Sequence, residues 1–299
     1  MIFLVTGSSR GLGRAIAETA LQAGHQVLAT ARDPRQLADL TNRYGDLIRP
    51  VALDVTDRAA AAAAVRTAVD TFGALDVVVN NAGYADLASV EDVTIEDFRA
   101  QVETNLFGVL NVTKAALPVL REQGHGHIIQ VSSVGGRVAS PGLSAYQSAK
   151  WAVGGFSEVL AQEVAPLGIK VTVIEPGGMR TDWAGSSMSI PPISAPYRPT
   201  VGARAEAMDG AAMAGDPVKV AGVVLQLAGM DEPPLRLLLG SDAVLYAGRA
   251  AQLRAESDAR WERLSRSTDH DDVTPADLDP LARVHSRESG TSGTTSAVS

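Results

Sequence analysis

The sequence predicts an α/β fold: one doubly wound, seven-stranded parallel sheet with helices on both faces. Three observations carry that reading. Short apolar and β-branched runs alternate with helical patterns along nearly the whole chain, with no other internal repeat, as a parallel sheet with crossover helices requires. The first apolar run passes through a glycine-rich loop straight into a helical pattern. The 299 residues, 45% of them hydrophobic, can bury one sizeable core or two small ones. The domain is placed at residues 1–265, with residues 266–299 as a mostly disordered tail.

In chain order, Ile2 to Thr6 is the first strand, and Thr6-Gly7-Ser8-Ser9-Arg10-Gly11-Leu12-Gly13 leads into the helical pattern Arg14 to Leu21. Missing Cβ atoms let backbone approach a pyrophosphate, and the helix end offers N–H groups to it. Gly24 ends that helix and His25 to Ala31 is the second strand. At its tip an acidic side chain would suit the free ribose hydroxyl of NAD, whereas arginine would suit the phosphate of NADP. Ala31 is followed by Arg32, and Arg10 lies in the loop, so two guanidiniums favour NADP(H) over NAD(H). Asp33 competes, but with Pro34 behind it a helix N-cap is its simpler role.

Leu47 to Leu53 is the third strand, ending at Asp54-Val55, where Asp54 either meets an adenine amino group or caps the next helix. The alanine run Ala59 to Ala64 is helix-forming, and Gly73 ends it. Leu75 to Val79 leads to Asn80-Asn81-Ala82-Gly83, whose amides can hold neighbouring backbone apart at the carboxyl edge of the sheet. A helix from about Thr94 to Leu120 carries Asn105, an unfavourable interior residue that points to a kink or a polar task. Strands Ile128 to Val131, Lys170 to Glu175 and Leu235 to Leu239 follow, and Ser241 to Leu264 forms a last helix. Between the last two strands, residues 179–216 are rich in Pro, Ser, Gly, Ala and Met without a sustained period, which reads as a substrate lid.

Composition excludes several functions. A net charge of -8 and the acidic balance argue against a nucleic-acid surface. The absence of cysteine excludes disulfides, thiolate catalysis and cysteine zinc sites. Five scattered histidines show no metal-ligand spacing, and Gly124-His125-Gly126-His127 reads as a turn before a strand, so no metal is expected. The start lacks a basic n-region and no apolar run approaches a membrane span, so a cytoplasmic protein without membrane contact is expected.

Tyr146 and Lys150 are four residues apart, one turn on one helix face if the stretch is helical. An ammonium there favours the phenolate and would bring a phenol of ordinary pKa about 10 toward the working range. Taken together, T-G-x-x-x-G-x-G from Thr6, N-N-A-G from Asn80, Ser133, Y-x-x-x-K from Tyr146 and P-G at Pro176 resemble the short-chain dehydrogenase/reductase family over about residues 2 to 240.

That resemblance implies a Rossmann-like domain with Tyr146 as general acid/base and Lys150 lowering its pKa. Ser133, thirteen residues before the tyrosine, would bind the substrate oxygen, and Asn105 would support a water relay to the lysine. It implies cofactor contacts from Gly7, Ser9, Arg10, Gly11, Leu12, Gly13, Arg32, Asp54, Val55, Asn81, Ala82, Gly83, Tyr146, Lys150, Pro176, Gly177, Met179 and Thr181. The substrate, a small carbonyl or alcohol, would meet Ser133, Val134, Leu143, Trp183 and Met188. With Ile190, the lid side chains suggest an apolar substrate portion. The activity implied is that of an NADPH-dependent carbonyl reductase or alcohol dehydrogenase (EC 1.1.1.-). The alternative is an NADP-binding redox sensor without turnover. Leu237 to Asp242, followed by a helix, departs from the family's usual terminal turn; this leaves a tetramer in doubt and favours a homodimer through the Asn105 and Tyr146 helices.

Overall fold

The computed structural model describes residues 1–180, 188–208, 213–274, 277 and 278. Its elements run β1 (Ile2–Val5), α1 (Gly11–Gln22), β2 (Gln26–Ala31), α2 (Ala38–Tyr44), β3 (Ile48–Ala52), α3 (Arg58–Phe72), β4 (Val77–Asn80), α4 (Ile95–Val102), α5 (Gly108–Gln123), β5 (Gly126–Val131), α6 (Ser144–Val164), β6 (Ile169–Pro176), α7 (Ala203–Met208), α8 (Pro217–Gly229), β7 (Arg236–Leu239) and α9 (Ser241–Arg266). The seven strands form one sheet in the order β3-β2-β1-β4-β5-β6-β7, every pair parallel. The order in which strands are added reverses between β1 and β4, where a doubly wound sheet opens its ligand crevice.

The two faces of the sheet are legible in β1 itself. Phe3 and Val5 join one core with Ile16 of α1, Leu40 of α2 and Val224 of α8. Leu4 points the other way, to Val65 of α3, Val112 of α5 and Leu160 of α6. Side chains alternate across a strand, so a sheet covered on both faces needs nearly continuous apolar strands. Helix boundaries follow local chemistry. Asp57 caps α3 by accepting from Ala59 and Ala60 N–H, and Gly73 ends it at φ 89°.

Two expectations change. The stretch between Gly215 and the last strand holds a helix that the sequence did not lead us to expect: Asp216 caps α8 and Pro217 opens it. The segment expected as a lid is also less featureless than its composition suggests, because Ala195–Tyr197, Arg198–Gly202 and α7 form a helical run. The chain divides into two compact units, Met1–Ala250 and Ala251–Ser299. Every described residue of the second is exposed, and helix α9 continues into it as far as Arg266. The rest of the expected tail, residues 275, 276 and 279–299, lies outside the described residues. Among the described residues no helix is long and apolar enough to cross a membrane.

Candidate active site

The glycine loop is shaped by what its glycines leave out. Gly7 and Gly11 have φ of 68° and 57°, open to glycine and strained for other residues. A Cβ on Gly13 would lie 2.3 Å from both Asn81 Nδ2 and the Gly7 carbonyl oxygen. Asn81 laces β4 to this loop: its Nδ2 donates to the carbonyls of Thr6 at 2.9 Å and Gly7 at 3.2 Å. Thr6 Oγ1 in turn accepts from Asn81 N at 2.9 Å and Ala82 N at 3.0 Å. Arg10 stands at the N-cap of α1 without a side-chain cap bond, so its side chain does not occupy the helix's first N–H groups. An uncapped helix start behind a glycine cradle fits the pyrophosphate of a dinucleotide.

At the tip of β2, Ala31 is buried while Arg32 is exposed. Asp33 caps the turn Pro34–Leu37, and its carboxylate also binds Arg35 Nε and Nη2, each at 2.9 Å. Asp54 accepts from Thr56 N at 2.9 Å and Oγ1 at 2.7 Å. Those bonds, with Arg32 adding a smaller pull, hold its carboxyl below the ordinary range. Asp57, not Asp54, caps α3. Val55 is buried and packs against Gly108.

The helix carrying Asn105 is not continuous. Between α4 and α5 the segment Glu103–Phe107 is π-helical, a one-residue widening common at functional sites. Asn105 uses the widened turn: Nδ2 donates to Tyr84 O at 2.8 Å and Gln101 O at 2.9 Å. Its Oδ1 is buried and has no hydrogen-bond partner among the described residues. A Cβ on Gly83 would fall 2.5 Å from that oxygen and 3.5 Å from Lys150 Nζ, so glycine there keeps the space between them open.

Helix α6 begins at Ser144, which puts Tyr146 and Lys150 one turn apart on its buried side. Lys150 Nζ donates to Val131 O at 2.8 Å and lies 5.7 Å from the Tyr146 ring centroid. Ser133 stands at the start of the turn Val134–Gly136, its Oγ accepts from Gly135 N at 3.0 Å, and its hydroxyl also hydrogen-bonds Tyr146. The expected lowering of the tyrosine pKa is reversed. Burial pushes Tyr146 up to about 12, against a smaller downward pull from Ser133. Burial likewise pushes Lys150 down to about 8. Desolvation disfavours each charged form, and here it outweighs the lysine's attraction for a phenolate.

After β6, Gly177 N donates to Leu239 O at 2.9 Å and Gly178 N to Asp242 Oδ2 at 2.8 Å. Asp242 therefore fastens the Pro176–Met179 segment, and Cβ atoms on Gly177 or Gly240 would meet its carboxylate at 2.2 Å or 2.6 Å. The sequence reading treated this aspartate only as part of an atypical terminal turn; a carboxylate directly behind Gly240 was the available signal. Met179 pairs with Gly215 in an isolated bridge. Thr181 and Trp183 lie outside the described residues. On the other side of Tyr146, a third apolar cluster joins Ala85, Leu87, Leu143 and Val201, with Met188 partly buried against it. Val134 is half-buried in the Ser133 turn. Residues after Met188 are tied back to the chain around this cluster by Ser189 N donating to Asp86 at 2.9 Å and Tyr197 Oη donating to Glu91 at 2.7 Å. His127 is a buried strand residue, not a turn residue, with Nε2 2.9 Å from Thr172 Oγ1. Among the described residues no acidic or histidine cluster could hold a metal.

A parallel sheet with this crevice, a glycine cradle and a half-buried Ser133 beside the buried Tyr146 and Lys150 is the arrangement of an oxidoreductase. A family model described as short chain dehydrogenase matches residues 1–189, and the chain belongs to that family. It is 60% identical over 267 residues to oxidoreductase BOA17 of Botryotinia fuckeliana, covering 88% of this chain and 97% of that protein. A short-chain dehydrogenase from Streptomyces avermitilis superposes with a TM-score of 0.84 at 39% identity, over 90% of this chain and 99% of that one. Two further structures are similar over 80% of this chain: a serine dehydrogenase complexed with NADP+ (TM-score 0.70, 29% identity, 94% of that chain) and a 3-ketoacyl-(acyl-carrier-protein) reductase from Brucella melitensis complexed with NADH (TM-score 0.68, 26% identity, 96% of that chain).

Proposed function

We propose that this oxidoreductase is an NADPH-dependent carbonyl reductase, working reversibly as an alcohol dehydrogenase on a ketone or secondary alcohol. The observation that carries this reading is the contact of Ser133 with Tyr146 beside the buried Lys150 amine. The bound nicotinamide would supply the hydride in the reducing direction. Ser133 accepts from Gly135 N–H, and its own hydrogen, now directed to Tyr146, would turn to a substrate oxygen that gains charge. Tyr146, with a pKa near 12, is a protonated acid at neutral pH and can give its proton to a developing alkoxide. Lys150, mostly charged at pH 7, would then stabilise the phenolate left behind. Asn105 Oδ1, across the Gly83 gap from Lys150 Nζ, would accept from a water on the proton's return route.

Preference for NADP(H) is supported by Arg10 and Arg32 at the exposed tip and by the engagement of Asp33 with Arg35. The apolar wall of Leu87, Leu143, Val201 and Met188 supports an apolar substrate portion beside Tyr146. A homodimer through α5 and α6 also belongs to this reading, supported by apolar surface at Phe107, Trp151 and Val159.

The test is NADPH oxidation with a panel of apolar ketones and aldehydes. Turnover is expected with at least one, and Tyr146→Phe should lower it on the order of 10³-fold while NADPH still binds. Binding of NADPH without turnover on any carbonyl would turn the reading toward a redox sensor. Turnover surviving in Tyr146→Phe would refute the mechanism.

A further inference from the structure

A fully buried carboxylate stands directly before Pro176, and the chemistry above makes no use of it. Glu175 on β6 is 0% exposed. Its Oε2 lies 2.6 Å from Arg137 Nη2, while its Oε1 accepts from Arg236 Nε at 3.2 Å and also from Arg236 Nη2. Arg236 reaches on to Glu158 of α6, with Nη1 2.7 Å from Oε1. Two positive and two negative side chains therefore neutralise one another.

The elements they join are the ones that carry the site. Arg137 directly follows the turn Val134–Gly136 that begins at Ser133. Glu158 lies on α6 about two turns beyond Lys150. Arg236 opens β7, and its guanidinium packs on α6 at Gly154, where a Cβ would approach within 3.0 Å. The turn is pressed equally close: a Cβ on Gly136 would lie 2.8 Å from the Lys150 carbonyl oxygen. A buried ion pair is weak evidence for stability, since apolar residues of similar size often serve a core as well or better. What it adds is direction, because the Arg236 guanidinium meets Glu175 Oε1 through two nitrogens while Arg137 Nη2 is held against Oε2 as an ion pair.

We propose that Glu175 is a positioning residue: through Arg137 it fixes the turn that carries Ser133, and through Arg236 and Glu158 it fixes the helix that carries Tyr146 and Lys150. This rests on the carbonyl reductase reading. Loss of the Arg137 tie lets the turn relax, and Ser133 leaves its place beside Tyr146. The tie therefore acts on the step in which charge develops on the substrate oxygen, and cofactor binding at the far loop stays as it is.

The experiment compares the full chain with Arg137→Gln, Arg137→Lys, the charge-balanced double variant Arg137→Met/Glu175→Gln, and Ser133→Ala, alone and combined with Arg137→Gln. In Arg137→Gln and the double variant, kcat is expected to fall roughly tenfold or more, the order seen when an oxyanion donor is misplaced, with KM and NADPH affinity within about twofold. Arg137→Lys should recover part of the loss. Arg137→Gln added to Ser133→Ala should cost almost nothing further, because both act through one hydroxyl. The single Arg137 variants leave Glu175 paired with Arg236, so they carry the test if the double variant does not fold. A lower melting temperature with unchanged kcat, or losses that multiply with Ser133→Ala, overturns the proposal while leaving the reductase reading intact. A wild-type chain that binds NADPH and reduces no carbonyl removes the reading and this proposal together.

Discussion

The glycine-loop side of the crevice and the Tyr146 side are built on opposite principles. Around β1, α1 and β2 the geometry depends on missing side chains: Gly7, Gly11 and Gly13 let the loop, the helix and Asn81 close on one another. Around β5, α6, β6 and β7 it depends on polar side chains kept from water: His127, Ser132, Tyr146, Lys150 and Glu175 are all buried. The first region should therefore be sensitive above all to added volume. The second should tolerate some changes of volume and respond to charge and proton concentration.

The sharpest way to break this contrast is Lys150→Met. Turnover should fall on the order of 10³-fold, while the chain at pH 7 should melt higher. The amine is held near pKa 8 by burial, so keeping it charged at pH 7 costs the fold roughly 3 kcal/mol, partly offset by its bond to Val131 O. The same linkage sets a pH trend for the wild type. Between about pH 8 and the ordinary lysine value the unfolded chain holds a proton that the native amine has lost, so this site's contribution to stability rises with pH. Tyr146 acts in the opposite sense above pH 10, where the native phenol keeps its proton up to about 12. Urea midpoints across pH 7 to 10 read the first trend; a flat profile from this site, seen as no difference between wild type and Lys150→Met, would contradict it.

Gly13→Ala tests the other side by volume. A Cβ 2.3 Å from a backbone oxygen cannot be accommodated without moving the loop, and a loss of about 3 kcal/mol is expected together with NADPH affinity. That loss should be the same at pH 5 and pH 8. Calorimetry at the two values checks it, and a pH-dependent loss would blur the contrast.

His127 provides the acid counterpart. Burial holds it near pKa 4, so the stability of its neutral form is complete above about pH 6.5 and is lost as pH falls to 4. The total is roughly 3 kcal/mol. His127→Gln should flatten this part of the denaturation profile, and an unchanged acid limb would exclude His127 as its source. The smallest expected effect is at the exposed tip. Arg32→Ala should weaken NADPH binding about tenfold and leave NADH unchanged, as befits one charge-assisted phosphate contact. Equal weakening of both cofactors, measured by titration, would remove Arg32 from NADP selection.

The two regions also differed in how far their sequence could be read. The glycine loop is legible because its function is local: strand, glycines and helix are consecutive, and no other spacing serves. Tyr146 and Lys150 are legible for the same reason, since a helix sets their separation. Asn105 was readable as an anomaly inside a helix, and the π-helical turn is the form the anomaly takes. Glu175 was not readable, because its partners Arg137 and Arg236 come from other strands' ends and a terminal Glu-Pro looks like any strand exit. Asp242 was hidden in the same way, its partner Gly178 lying 64 residues away. Helix α8 has a good start signal in Asp216-Pro217, but its nearly continuous apolar run lacks the polar face that marks a surface helix in sequence.

The sequence by itself determined the alternation of strands and helices, the glycine cradle and the residue types available at the carboxyl edge. These depend on chain-local sterics and on hydrophobic periodicity. The tertiary structure decided the ionisation of the site and its alignment. Desolvation depends on everything packed around Tyr146 and Lys150, and it reverses the shift that their spacing alone would suggest. Alignment depends on guanidinium and carboxylate groups that meet only when four separate elements have closed on one another.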